Sequence, residues 1–155
     1  MRYSERKHRI GIKELTFLLI GMILLVLLGI VAKGQQPLYR EYRGVRLGMT
    51  ATEVRAKLGE PVMKSNEQDY FVMSATETTQ IAYDTFQKVV TISTDYTGGV
   101  GAPDYRSVVG DGTLLQKPDG TLFRMMQYDS AGMWVIYNKS AATVPVVTIT
   151  IQMMK

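Results

Sequence analysis

The chain has 155 residues, 18 Lys+Arg against 14 Asp+Glu, one His and no Cys. That length holds one small domain and an appendage, and excludes a large multidomain enzyme. Without cysteine there is no disulfide framework, thiolate metal site, Cys nucleophile or lipidated N-terminal Cys, and the single His, His8, sits in a basic tail.

The charge is unevenly spread. Residues 1–33 carry six basic and two acidic groups, whereas residues 34–155 carry twelve of each. The pI near 9.3 therefore reflects the tail rather than a basic domain surface, and no nucleic-acid partner is expected. From Leu15 to Ala32 the chain is apolar and uncharged; as a helix this run covers about 27 Å, nearly a hydrocarbon core. It is longer than the core of a cleavable signal, and Ile30 is a poor fit to the small-residue position of a cleavage site. The expectation is a basic cytoplasmic tail (1–14) and a retained transmembrane signal anchor (15–32). The protein is then a single-pass inner-membrane chain, with a cytoplasmic N-terminus and an extracytoplasmic C-terminal domain.

A juxtamembrane linker follows (33–44). Around it Tyr39, Arg40, Tyr42, Arg43 and Arg46 recur at a spacing of three. Tyr and Arg beside a span are candidates for a lipid headgroup interface; the alternative is a lead-in whose tyrosines pack on the domain.

The most informative stretch is 45–61. Thr50 with Glu53 three positions later is a capping box, Val54 and Leu58 share one helical face, Gly59 suits a left-handed cap, and Pro61 forbids continuation. So short a helix is marginal alone and has to dock Met49, Val54 and Leu58 on a sheet. The run Gly48-Met49-Thr50, then Val54, Leu58, Gly59 and Pro61, resembles the signature of the BamE family of small envelope proteins (SmpA/OmlA type), and of the wider fold shared with the β-lactamase inhibitor proteins. The resemblance implies a helix against a small antiparallel sheet, in the periplasm or cell envelope, acting by protein–protein contact as an assembly or stabilising factor or as an inhibitor-like binding domain. Its matched residues are structural ones. The chain departs from the BamE pattern in lacking the lipidated Cys.

Downstream, 69–75, 79–84 and 88–95 are β-favouring runs with a reversal around 84–87. After the glycine connector 98–101 a second short helix is expected, started by Pro103 and stopped by Gly110. Strands resume at 114–115, 121–128, 133–138 and 144–152, with turns at 117–120 and 129–132. The halves look alike: 54–60 parallels 105–111 and 81–85 parallels 126–130, pointing to a duplicated helix-then-strands unit with repeats at 45–96 and 101–152. The expected class is therefore α+β: a transmembrane helix, then a domain (45–155) of two short helices on an antiparallel sheet.

Little chemistry is on offer. The domain has no His, and most of its carboxylates, such as Asp84, Asp104, Asp119 and Asp129, fall at turns and helix ends, where they cap backbone groups. No catalytic residue, metal or cofactor is expected. Met133, Trp134 and Tyr137 are the candidate partner contacts, with strand parity placing Trp134 and Tyr137 on opposite faces. The expected function is binding of another envelope protein; the alternative is a small-ligand or lipid-binding module.

Overall fold

A computed structural model describes residues 35–154. Eight strands form, β1 (Met63–Lys64), β2 (Gln68–Val72), β3 (Glu77–Tyr83), β4 (Val89–Thr97), β5 (Leu115–Gln116), β6 (Leu122–Tyr128), β7 (Met133–Lys139) and β8 (Val146–Met153), with two helices, α1 (Ala51–Leu58) and α2 (Tyr105–Val109). All eight join one antiparallel sheet in the order β1-β2-β3-β4-β8-β7-β6-β5. The order is palindromic. Each helix precedes a four-stranded meander, and the two meanders meet where β4 pairs with β8 from Thr91↔Gln152 to Thr97↔Val146. In this arrangement β3 is the counterpart of β7 and β2 that of β6. Matching 81–85 with 126–130 thus pairs strands that are not equivalent.

The sheet dominates so strongly that the expected α+β class is corrected to a mainly β domain carrying two small helices of eight and five residues. Even α1 is only about 12 Å long at 1.5 Å per residue, and among the described residues no helix is long and apolar enough to cross a membrane. The transmembrane anchor, and with it a single-pass inner-membrane location, finds no support in the fold. The tail 1–14 and the apolar run 15–32 lie outside the described residues.

Period-two patterning decides the faces. Along β8, Val147, Ile149 and Ile151 are buried while Thr148, Thr150 and Gln152 point the other way. The same alternation buries Phe71, Ile81, Ile92, Tyr96, Val135 and Tyr137 on one side. Val54 of α1 and Val108 and Val109 of α2 join that core, each fully buried. Each such side chain contributes roughly 1.5–3 kcal/mol.

The helix ends follow from their sequence. The Thr50 side chain accepts the Glu53 N–H, and the Glu53 carboxylate accepts the Thr50 N–H at 2.7 Å. That backbone donor holds the Glu53 carboxyl below its ordinary value. The 45–61 segment docks on the β3–β4 hairpin through Gly48 N–H to the Val89 carbonyl and Val89 N–H to the Met49 carbonyl, both 2.8 Å. Gly48, at φ +80°, makes the turn that permits this.

The Tyr39–Arg46 segment, the candidate lipid interface, is a strap on the helix-covered side. Arg43 and Gly44 take positive φ in a tight turn that pairs Tyr42 with Val45. Tyr42 is buried, and its hydroxyl donates to Glu77 at 2.7 Å. Arg43 also binds Glu77, Arg46 binds Glu41, and Tyr39 packs against the core. Arg40 alone is both exposed and outside these ion pairs. The Tyr42 ring is committed to the protein interior and the Tyr39 ring is partly buried against it.

Candidate functional site

Both helices and the strap lie on the same side of the sheet. Registered pairs run on one side from Asp69↔Ile81 through Ile92, Ile151 and Val135, and onto that side pack Arg55 of α1, bonded to Asp69, and Tyr105 of α2, against Tyr137 with ring centroids 6.1 Å apart. The opposite face has no helix over it among the described residues.

Registers place that open face in three cross-strand ranks. One runs Leu115, Phe123, Asn138, Thr148, Asp95, Thr78, Val72; the next Met125, Ile136, Thr150, Ser93, Gln80, Tyr70, Met63; the third Gln127, Trp134, Gln152, Thr91, Ala82, Gln68. An apolar cluster of Phe123, Met125, Trp134 and Ile136 therefore occupies the β6–β7 side, with Leu115 66% exposed beside it. Tyr70, Val72 and Met63 stand at the opposite edge. Between them lies a floor of hydroxyl and amide groups, stiffened by Thr148 donating to Asp95 at 2.6 Å and by Ser93 against Thr150 at 3.1 Å. At about 4.8 Å per strand and 3.3 Å per residue the three ranks span roughly 34 by 13 Å.

Charge avoids this face. No Lys or Arg among residues 35–154 takes an open-face register position, and Asp95 is its single acidic residue. Depletion of charge together with enrichment of aromatics and Met is the composition of the centre of a protein–protein contact.

The candidate contact residues separate by parity. Trp134 lies on the open face, half-buried next to Gln127 and Gln152. Met133 and Tyr137 are corrected to core residues, 5% and 7% exposed on the covered side. Burial also pushes the Tyr137 hydroxyl above its ordinary pKa. The motif residues Gly48, Met49, Thr50, Val54, Leu58, Gly59 and Pro61 all serve α1 and its docking, away from the open face. Phe123, Met125 and Ile136 escape a reading of the sequence because parity alone does not say which face the helices take.

The carboxylates go to structure. Asp84 accepts the N–H groups of Phe86 and Lys88, Asp104 that of Arg106, and Asp119 that of Thr121, all at 2.8–2.9 Å. Asp69, fully buried, accepts from Arg55 and from the Tyr83 hydroxyl. Among the described residues no three His, Asp or Glu gather as metal ligands do.

The fold and the face together define a single-sheet domain with one side packed and one side open. The chain matches no known protein family, no curated protein and no solved structure.

Proposed function

We propose that the domain is a protein-binding module whose contact surface is the open sheet face, centred on Trp134, Ile136, Met125 and Phe123. The observation that carries this reading is the absence of Lys and Arg from every open-face position among residues 35–154, in a domain as rich in charge as this one. An anionic membrane or a nucleic acid needs cations on the contacting face. A lipid tail needs an apolar lining, and the Thr, Ser and Gln floor does not supply one. The resemblance of 45–61 to the BamE-type motif supports protein contact as the mode of action and assigns no partner.

A photoreactive amino acid placed at Ile136, on the open face, tests the proposal against the same probe at Asp119, in a turn. A discrete adduct with a second polypeptide from the Ile136 probe, lost in Trp134→Ala and absent from the Asp119 probe, is the expected result. Equal labelling from both positions overturns the proposal.

A further inference from the structure

The two outer edges of the sheet are finished differently. At the β1–β2 edge the outward carbonyls of Gln68 and Tyr70 accept from Ser65 and Val62, each at 2.9 Å, and Lys64 stands exposed beside them. At the other edge β5 covers only the start of β6, pairing Leu115 with Phe123 and Gln116 with Leu122. The Lys117 N–H bonds the Thr121 carbonyl at 2.8 Å, so by the alternation of antiparallel ladders the odd-numbered residues of β6 turn their N–H and C=O outward. The chain leaves the edge at Leu114, which packs into the covered side. The outward N–H and C=O groups of Met125 and Gln127 are left with no strand beside them and no hydrogen bond among the described residues. No Pro, Lys or bulge lies at Met125–Gln127, three of the means by which a bare edge is blunted.

We infer that the β6 edge at Met125–Gln127 captures an extended segment of a partner protein by antiparallel strand addition, the segment alternating apolar and acidic side chains. Only peptide backbone presents donors and acceptors at the spacing that Met125 and Gln127 require. Residues of the incoming strand opposite those two place their side chains on the open face, over Met125 and beside Trp134. The residue between them falls on the covered side, diagonal to Arg124 and within reach of its guanidinium. Arg124 is half-buried, crosses closely over Gly112, and has no carboxylate partner among the described residues. An acidic residue there completes an ion pair that the chain itself does not make.

This inference rests on the protein-binding reading but uses backbone groups at an edge rather than side chains on the face. Its failure leaves the Ile136 cross-link unaffected, and loss of that cross-link leaves the edge test intact. The probe is acetyl-Thr-Ile-Glu-Ile-Thr-amide, titrated into the full chain with amide hydrogen exchange as readout. Slowed exchange at Met125 and Gln127 is expected. The peptide N-methylated at both Ile residues should bind about tenfold more weakly or worse, and the Glu-to-Lys peptide about tenfold more weakly. Met125→Pro deletes one outward N–H without touching the β6–β7 ladder and should abolish binding; if it does not fold, the N-methylated peptide on the native chain decides the matter. No slowing at these two amides, or equal binding by the N-methylated peptide, overturns the inference. So does slowing that rises with protein concentration without peptide, because the occupant is then a second copy of the chain.

Discussion

Arg55 and Asp69 form a bidentate ion pair across the helix–sheet interface. The guanidinium Nε and Nη2 donate to the two carboxylate oxygens at 2.8 and 3.0 Å, and the Asp69 side chain is fully shielded from solvent. The Tyr83 hydroxyl donates to the same carboxylate at 2.8 Å. The cluster ties α1 to β2 and β3, and its partners hold the Arg55 guanidinium above its ordinary pKa, chiefly through the Asp69 hydrogen bonds.

Removing one member leaves the other buried without its counter-charge, which is more costly than removing both. Asp69→Ala is expected to destabilise by about 3 kcal/mol or more, and the Arg55→Met, Asp69→Leu pair by clearly less than the sum of its single changes. Urea unfolding of the three variants measures this; strict additivity would show that the pair is not coupled.

Alkaline stability follows from the tyrosines. Burial first, then the Asp69 hydrogen bond, raises the Tyr83 pKa above its ordinary value of 10.0. Burial also raises those of Tyr96, Tyr42, Tyr39 and Tyr137. In the unfolded chain these groups lose protons near pH 10 while the folded chain keeps them, so their stabilising contribution is whole below that pH and declines as pH rises toward the folded values. The urea midpoint should fall steeply above about pH 10, and Tyr83→Phe or Tyr96→Phe should flatten the fall.

The α1 cap is testable by itself. Thr50→Ala removes the oxygen that accepts the Glu53 N–H at 3.2 Å and should cost about 1 kcal/mol of stability. Glu53, its pKa depressed mainly by the Thr50 N–H, stabilises the fold above the unfolded carboxyl value and ceases to do so as pH falls through the lower folded value. Glu53→Gln should therefore remove part of the acid sensitivity between those limits, as thermal melts from pH 5 down would record.

Trp134 and Tyr137 are three residues apart and serve different purposes. Tyr137→Ala empties a packed core site and should cost roughly 3–5 kcal/mol, whereas Trp134→Ala should change stability by less than about 1 kcal/mol. Comparing their denaturation midpoints with cross-linking from Ile136 separates folding from binding. A large destabilisation by Trp134→Ala would place that ring in the core.

Residues that act over one or two turns of chain were legible in the sequence. Thr50, Glu53, Gly59 and Pro61 delimit α1 because capping is local, and Asp84, Asp104 and Asp119 mark turns because each reaches its own backbone a few residues on. The strand runs were legible for the same reason, although the two-residue β1 was not. The tertiary structure decided everything that depends on a distant partner. It chose which face of the sheet the helices and the Tyr42 strap would cover, and so made Tyr137 core and Trp134 surface. It buried Asp69 against Arg55, brought Phe123 and Ile136 to one side, and left Met125 and Gln127 without a neighbouring strand. Parity fixes only that alternate residues face opposite ways; which way is inward depends on where the rest of the chain packs, a non-local choice made by the burial of apolar surface.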